Sequence, residues 1–213
     1  MKILAINTAS SQSAIAFFSD GKILAADSWL SHNDEAEKLM PAIDKLSEKA
    51  QIKLNDIQKV YVVRGPGSFT GLRIGITVAN TIAYLNKTEL FSISTFELWH
   101  TGNNFPVLVH AGSGALYLSS NRDSDYELIN MDQLSQALSS KSIIEVTGDI
   151  SDEQIAHLDK VVFTPSSLTF GQIMEKIIAD GSGQAHLGGL KIIKPLYIKK
   201  PNISRIKKKT CFT

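Results

Sequence analysis

Residues 60–75 read VYVVRGPGSFTGLRIG, a strand-like run followed by a glycine-rich turn and the start of a helix. Two glycines around Pro66 predict a tight turn. The helix is predicted from Phe69 to about Leu85, and the backbone N–H groups of its first turn could bind an anion. The turn matches neither common phosphate pattern: no Lys follows it as in a P-loop, and a dinucleotide fingerprint's third glycine is missing. Ser68 is therefore predicted to cap the helix rather than to act as a nucleophile.

Small residues recur at every fourth position of this predicted helix, at Gly71, Gly75, Ala79 and Ala83. Residues four apart lie on one helix face. A glycine inside a helix costs about 1 kcal/mol relative to alanine, so this spacing indicates that another backbone comes very close. That backbone could belong to the protein's own sheet or to a partner's helix, and the spacing alone favours neither.

The composition is that of an ordinary globular protein, with 213 residues, 43% hydrophobic, 20% charged and a net charge of +1. Such a charge creates no overall field that would recruit nucleic acid or a membrane. The single cysteine, Cys211, cannot form an internal disulfide. No segment approaches the roughly 20 apolar residues that span a bilayer, and polar residues interrupt the apolar start too early for a signal peptide. We therefore expect a cytoplasmic protein without membrane contact.

The order of predicted elements recurs along the chain. The first hundred residues predict strand, strand, strand, helix, strand and helix, and the same order returns from Phe105 onward. This duplication predicts an α/β protein with an N-terminal domain over 1–102 and a C-terminal domain over 103–198, ending in an edge strand at Lys194–Ile198. Residues 199–213 are expected to form a mobile basic tail. Its cations are Lys199, Lys200, Arg205, Lys207, Lys208 and Lys209.

Two further helices are predicted with specific ends. The first is capped by Asn33 or Asp34 and runs to about Ala50, with Pro41 causing either a kink or a later start. The second covers Ser166–Ala179. The first helix is expected to expose its acidic side chains, namely Glu35, Glu37, Asp44 and Glu48.

Residues that could support chemistry are few. The turn after the first strand could bind a phosphate through the hydroxyl and amide groups of Asn7, Thr8 and Ser11. It contains no carboxylate, and neither does the corresponding loop His110–Gly114, so the cleft is expected to lack the charge needed to bind Mg²⁺ or activate water. No histidine pair has helical metal-binding spacing, and no Cys–His group supports zinc. The sequence thus predicts no metal site and no catalytic residue.

The segment Gly65–Gly75 closely resembles the hallmark segment of the TsaB family, also called YeaZ. That family is the non-catalytic partner of TsaD in making threonylcarbamoyladenosine in tRNA. Shorter segments also match the family, namely Ile3–Ala9, Leu39–Ile43, Ile93–Thr95, Leu116–Tyr117 and Pro195–Ile198. The resemblance implies a two-domain actin-like, Hsp70-like ATPase fold of the ribonuclease H-like type, in agreement with the duplicated βββαβα order.

The resemblance also implies how the chain binds partners. In this family two N-terminal helices, here Leu39–Ala50 and Phe69–Leu85, form a four-helix interface with TsaD or with a second TsaB copy. The implied partner-binding residues are Leu39, Met40, Ile43, Leu46, Gly71, Leu72, Gly75, Ile76, Ala79 and Ala83. The implied structural loop consists of Gly65, Pro66, Gly67, Ser68, Thr70 and Arg73. A TsaE-like ATPase and tRNA complete the expected assembly. ATP and magnesium or another metal are expected in the partner subunits, and this chain is expected to have no cofactor of its own.

Three positions depart from the family pattern. Asn7 stands where the family usually has Asp, His110–Gly112 replaces its usual Asp-x-Arg, and Ala115 replaces an acid. These changes weaken any nucleotide or metal site of this chain and leave the two helices unchanged. The expectation is an accessory subunit rather than an enzyme. The alternatives are a small-molecule or acyl kinase of the same fold class and a tRNA-binding module acting through the basic tail.

Overall fold

Two mixed β-sheets form the framework of the computed structural model, which describes residues 1–112, 114–122, 125–186 and 192–198. The elements up to the second sheet are β1 (Lys2–Asn7), β2 (Gln12–Ser19), β3 (Lys22–Leu30), α1 (Glu35–Ala50), β4 (Lys59–Val63), α2 (Phe69–Asn86), β5 (Glu89–Ile93) and α3 (Thr95–His100). The remaining elements are β6 (Val107–His110), β7 (Ala115–Ser119), β8 (Tyr126–Asn130), α4 (Leu134–Ser140), β9 (Glu145–Asp149), α5 (Asp152–Ile155), β10 (Val162–Phe163), α6 (Phe170–Ala179) and β11 (Gln184–His186).

The two sheets have the same topology. The first has the order β11-β5-β4-β1-β2-β3, and the second has the order β10-β9-β6-β7-β8. In each, the first strand pairs antiparallel with the second and parallel with the fourth, so β1 corresponds to β6 and β4 to β9. This repeat confirms the predicted two-domain α/β fold of the actin-like, ribonuclease H-like class with duplicated βββαβα units.

The first sheet is covered on both faces. β1 and β4 are continuously apolar and almost fully buried, as expected for central strands of a covered sheet. Phe17 and Phe18, neighbours on β2, are both fully buried. Because successive side chains of a strand point to opposite faces, both faces of β2 need a covering layer. α1 and α6 both pack against β2 and β3, while α2 packs against β4, β5 and β1.

The chain passes between the two sheets twice. The chain enters the second sheet at β6, but after β10 it returns to the first. There α6 packs on β2 and β3, β11 extends the first sheet beside β5, and Ile193 is buried in the first core. We call β1–β5, α1, α2, α6 and β11 the first lobe, and β6–β10, α4 and α5 the second lobe. The stretch after Thr164 thus belongs mainly to the first lobe rather than to a C-terminal domain.

α1 begins at Glu35, directly after the predicted N-cap residue Asp34, and continues through Pro41. Other element boundaries differ from the prediction. α6 begins only at Phe170, because the Thr169 and Gln172 side chains form a capping box there. No strand forms at Lys194–Ile198, and the edge of the sheet is β11 instead. The basic tail lies outside the described residues.

One predicted surface acid is in the core. Glu35 is only 1% exposed, and its Oε1 accepts hydrogen bonds from the hydroxyls of Ser13 and Ser31. It is the first residue of α1, where the helix dipole stabilises a negative charge. The structure therefore corrects the prediction for Glu35, whereas Glu37, Asp44 and Glu48 are exposed as expected.

Candidate functional site

The glycine-rich turn is clamped onto the loop between β1 and β2. The Ser68 N–H donates to the Ala9 carbonyl oxygen at 2.8 Å, and the Thr8 hydroxyl donates to the Gly71 carbonyl oxygen at 2.7 Å. A Cβ atom at Gly67 would lie 2.1 Å from the Ala9 carbonyl oxygen, so only glycine allows this approach. Ser68 caps α2 as predicted, accepting a hydrogen bond from the Gly71 N–H at 3.2 Å. The turn therefore fixes the start of α2 against the first sheet.

The small residues of α2 face this protein's own sheet. A Cβ atom at Gly71 would lie 1.9 Å from the Thr8 carbonyl oxygen, and one at Gly75 would lie 2.1 Å from the Thr8 Oγ1. Ala79 and Ala83 continue the same buried face. The backbone that comes close is thus that of the β1–β2 loop. The prediction that these small residues receive a partner's helix is wrong, because the spacing defines a helix face without saying which neighbour covers it.

Most other residues predicted to bind a partner are also buried in the first lobe. Those in its core are Leu39, Ile43, Leu46, Leu72 and Ile76. Met40 is the exception among the predicted residues, with a side chain that is 43% exposed. Thr70 and Arg73, predicted as part of a structural loop, lie on the exposed side of α2. The helices were correctly identified, but the side of each helix that solvent reaches was not.

A shallow groove runs between α1 and α2 on their exposed side, with a volume of about 430 Å³. Its lining residues are Ala36, Thr70, Arg73, Ile74, Thr77 and Val78. Together with Met40, one turn after Ala36, we call these residues the α1–α2 face. The Arg73 guanidinium lies 5.6 Å from the ring centre of Phe69, which in turn stacks on Tyr197 at 5.0 Å. An aromatic pair therefore borders the face where α2 begins.

The sequence contains a signal for this face. Arg73 is the only charged residue among the 18 residues of α2. A helix with one solvent-exposed side normally carries several charges there. On α2 the exposed positions are instead mostly Thr, Phe, Tyr and Leu. A nearly uncharged exposed side is typical of a surface that another macromolecule covers.

The three residues predicted to hold a nucleotide all have partners inside the protein. The Asn7 side chain donates to the Ser10 Oγ at 3.1 Å and accepts from the Ala9 N–H at 3.0 Å. The Thr8 hydroxyl is bonded to α2, as described above. The N–H and hydroxyl of Ser11 both donate to the Asp149 carboxylate of the second lobe. These polar groups therefore shape the loop and connect the lobes.

Asp149 overturns the expectation that the cleft lacks acids. A cavity of about 510 Å³ between the lobes is lined by the loop residues Asn7, Ser10 and Ser11 and by the carboxylates of Asp149 and Asp152. Asp149 ends β9, the central parallel strand that corresponds to β4. The carboxyl ends of such strands face the ligand crevice in open α/β sheets, so the position of this acid after a predicted strand was the signal that sequence reasoning missed.

Two of the three departures from the family pattern, His110–Gly112 and Ala115, lie in the second sheet and its first turn, whereas Asn7 ends β1. His110 is exposed, with its Nδ1 2.9 Å from the Gln154 Nε2, and Ala115 is buried. Within the described ranges, no cluster of three or more His, Cys, Asp or Glu side chains could hold a metal ion. Nor does any helix of the described part of the chain combine the length and apolar character needed to cross a bilayer.

Comparison with solved structures supports the fold. YeaZ from Pseudomonas aeruginosa superposes with a TM-score of 0.66 over 85% of this chain and 94% of that one, at 16% identity. A second crystal structure, described as an uncharacterized protein with similarity to peptidase YEAZ from Pseudomonas aeruginosa, gives a TM-score of 0.71 over 93% of this chain and 99% of that one, also at 16% identity. At this identity the likeness concerns the fold alone.

Comparison of sequences identifies the family. Residues 30–188 match the family model described as TsaD: tRNA N6-adenosine threonylcarbamoyltransferase. The tRNA threonylcarbamoyladenosine biosynthesis protein TsaB of Bacillus subtilis is 32% identical over 51% of this chain and 48% of its own length. TsaB of Escherichia coli is 34% identical over 45% of this chain and 41% of its own. The chain spans about half the length of the curated relatives it matches. It therefore belongs to the family that the TsaD model describes, and within that family it is similar to the proteins named TsaB.

Proposed function

We propose that this chain is a non-catalytic accessory subunit that pairs with a TsaD-like enzyme, which threonylcarbamoylates the adenosine beside the anticodon of tRNA. The names of the curated TsaB relatives support this role. The observation that carries the pairing is the α1–α2 face, a groove between two exposed helices that contains a single charged residue, Arg73.

The α1–α2 face suits a helical partner. Ile74 and Val78 are half-buried and pack against the first core, so they form a firm apolar floor. Covering this floor removes apolar surface from water while desolvating only one charge. The residues that follow Ala36 on α1, including Glu37 and Lys38, are charged and exposed, and we expect them at the rim of the groove. Such rim charges affect encounter rate and specificity more than affinity.

Thr77→Glu tests this docking surface. Thr77 is exposed and lines the groove four residues after Arg73, so glutamate is tolerated by the free chain but adds a second charge that the complex must desolvate. Burying such a charge costs several kcal/mol, so the Kd for the purified TsaD-like protein of the same organism should rise at least about 100-fold. Isothermal titration calorimetry measures this change. Gly75 variants cannot serve here, because a side chain at Gly75 would collide with Thr8.

Ser135→Glu is the matched control. Ser135 is exposed on α4 in the second lobe, so this variant adds the same charge to another helix surface. Its Kd should equal that of the wild type. If Thr77→Glu and Ser135→Glu bound the TsaD-like protein with the same Kd, docking at the α1–α2 face would be contradicted. The same α1–α2 face would also serve a homodimer of this chain. If it does, sedimentation should show that the Thr77→Glu variant is a monomer and that the Ser135→Glu variant is still a dimer.

The other components of the assembly are also proposals. A TsaE-like ATPase joins the pair, and ATP with magnesium or another metal binds in the partner subunits rather than in this chain. The whole assembly works in the cytoplasm. The kinase alternative is disfavoured because the side chains of Asn7, Thr8 and Ser11 are engaged within the protein. ATP hydrolysis by the isolated chain would favour it again.

The basic tail is proposed to contribute to tRNA binding. Residues 199–213 contain six Lys and Arg residues and no acid. Removing them should weaken tRNA binding by the complex. The slope of log K against the logarithm of the salt concentration should also become less steep by about three to five units, because each neutralised phosphate contributes nearly one unit. Filter binding at several salt concentrations measures this slope. Identical slopes for the full and shortened chains would mean that the tail does not touch tRNA.

A further inference from the structure

The contact between Ser11 and Asp149 joins the two lobes across the cleft. The Ser11 N–H donates to both carboxylate oxygens of Asp149, at 2.9 and 3.2 Å, and the Ser11 hydroxyl donates to Asp149 Oδ1. The Ser11 carbonyl oxygen in turn accepts the Ser31 N–H at 2.8 Å, immediately after β3. The carboxylate at the end of β9 is thus tied to the β1–β2 loop and, through Ser11, to the end of β3.

The chemistry of this contact is that of an anion site. A backbone N–H and a hydroxyl from one loop converge on a negatively charged group, as they do in loops that bind phosphate or carboxylate ligands. Hydrogen bonds to a charged acceptor are roughly twice as strong as neutral ones. Here the anion comes from the protein itself, so the donors of Ser11 are already occupied.

The same carboxylate makes the cavity unfavourable for other anions. Asp149 and Asp152 both line the cavity of about 510 Å³. A phosphate group entering there would have to displace the first carboxylate from Ser11 and approach both negative charges. A neutral or positively charged molecule faces no such barrier.

We propose that Asp149 is a built-in anion that latches the lobes together and keeps anionic ligands, such as nucleotide phosphates, out of the cleft. The proposal concerns the cleft alone, so it can fail while docking at the α1–α2 face holds, and the reverse. It also gives Ser11 a role different from the nucleotide contact predicted from its loop.

Asp149→Ala in the full chain tests both halves of the proposal. Amide hydrogen exchange at Ser11, followed by NMR, should become about tenfold faster, because the N–H loses a charged acceptor. Inorganic pyrophosphate, titrated into this variant and followed by NMR, should bind at least about tenfold more tightly than it binds to the wild type. Its binding should shift the amide signals of Ala9 to Gln12. Asp149→Asn keeps the size of the side chain and one acceptor oxygen, so it serves as a second variant if Asp149→Ala misfolds. It should change the Ser11 exchange rate and the pyrophosphate affinity in the same direction as Asp149→Ala, but by less.

Asp152→Ala is the matched control. It removes one negative charge from the same cavity, while Asp152 makes no contact with Ser11 among the described hydrogen bonds. The Ser11 exchange rate should stay near wild type, and pyrophosphate affinity should rise much less than in Asp149→Ala, because the Asp149 carboxylate still occupies the donors of Ser11. Unchanged Ser11 exchange in Asp149→Ala would overturn the latch. Faster exchange without tighter pyrophosphate binding, or equal binding by Asp152→Ala, would overturn the exclusion of anions by Asp149.

Discussion

Gly71→Ala is expected to destabilise the protein by about 3 kcal/mol or more. The added methyl group would lie 1.9 Å from the Thr8 carbonyl oxygen, and both α2 and the β1–β2 loop are held by the core. The usual gain of about 1 kcal/mol from replacing a helical glycine by alanine is too small to offset this collision. For a chain of this size, the midpoint of thermal unfolding should fall by about 6–12 °C. Circular dichroism during heating measures the change.

Gly171→Ala provides the matched control. Gly171 lies in the first turn of α6, and its added methyl group would meet the side chains of Ile23 and Ala26 at 3.3 Å. Because side-chain atoms can shift by a few tenths of an ångström, this variant should differ from the wild type by no more than about 1 kcal/mol. Equal losses in the two variants would mean that the close contact between α2 and Thr8 is not what requires glycine at position 71.

Gly148→Ala is the second substitution for which a large loss is expected, this time in the second lobe. Gly148 pairs with Leu108 in the sheet, and an added Cβ would lie 1.9 Å from the Leu108 carbonyl oxygen. Its φ of +138° is also unfavourable for alanine. Collision and backbone strain together should cost about 3 kcal/mol or more in the free energy of unfolding, measured by urea titration.

Gly112→Ala separates these two causes. Gly112 also has a positive φ, +71°, but nothing lies within 4 Å of an added Cβ. This variant should therefore lose only the strain energy, about 1 kcal/mol. If Gly148→Ala were no worse than Gly112→Ala, the close packing of β9 on β6 would not be the reason for the glycine. Because Asp149 follows directly, the Gly148 variant should also speed hydrogen exchange at the Ser11 amide.

Local sequence signals predicted most of the elements. An Asp-Gly pair is a strong hairpin signal in a sequence, and Asp20 and Gly21, between β2 and β3, both have the positive φ that such a turn requires. Ser68 was predicted to cap α2, and its hydroxyl accepts the expected backbone hydrogen bond. These features depend on neighbouring residues alone, so periodicity and capping rules find them.

Contacts between distant parts of the chain could not be predicted in this way. The small residues of α2 are four apart whether a sheet or a partner covers them, and only the position of Thr8 decides between the two. Asp149 is 138 residues from Ser11, so no local pattern connects them. The return of α6 and β11 to the first lobe was missed for the same reason: the apolar face of α6 indicates that it is buried, but not against which sheet.

The stacking of Tyr197 on Phe69 has a practical consequence for experiments on this protein. It holds the last described residues beside the first turn of α2, with the Leu196 N–H bonded to the Arg64 carbonyl oxygen at 2.8 Å. An affinity tag or fluorescent protein fused directly after Ile198 would therefore start next to the groove where we expect the enzyme to sit. Reporter fusions at that end should interfere with complex assembly, and labels on the second lobe should not.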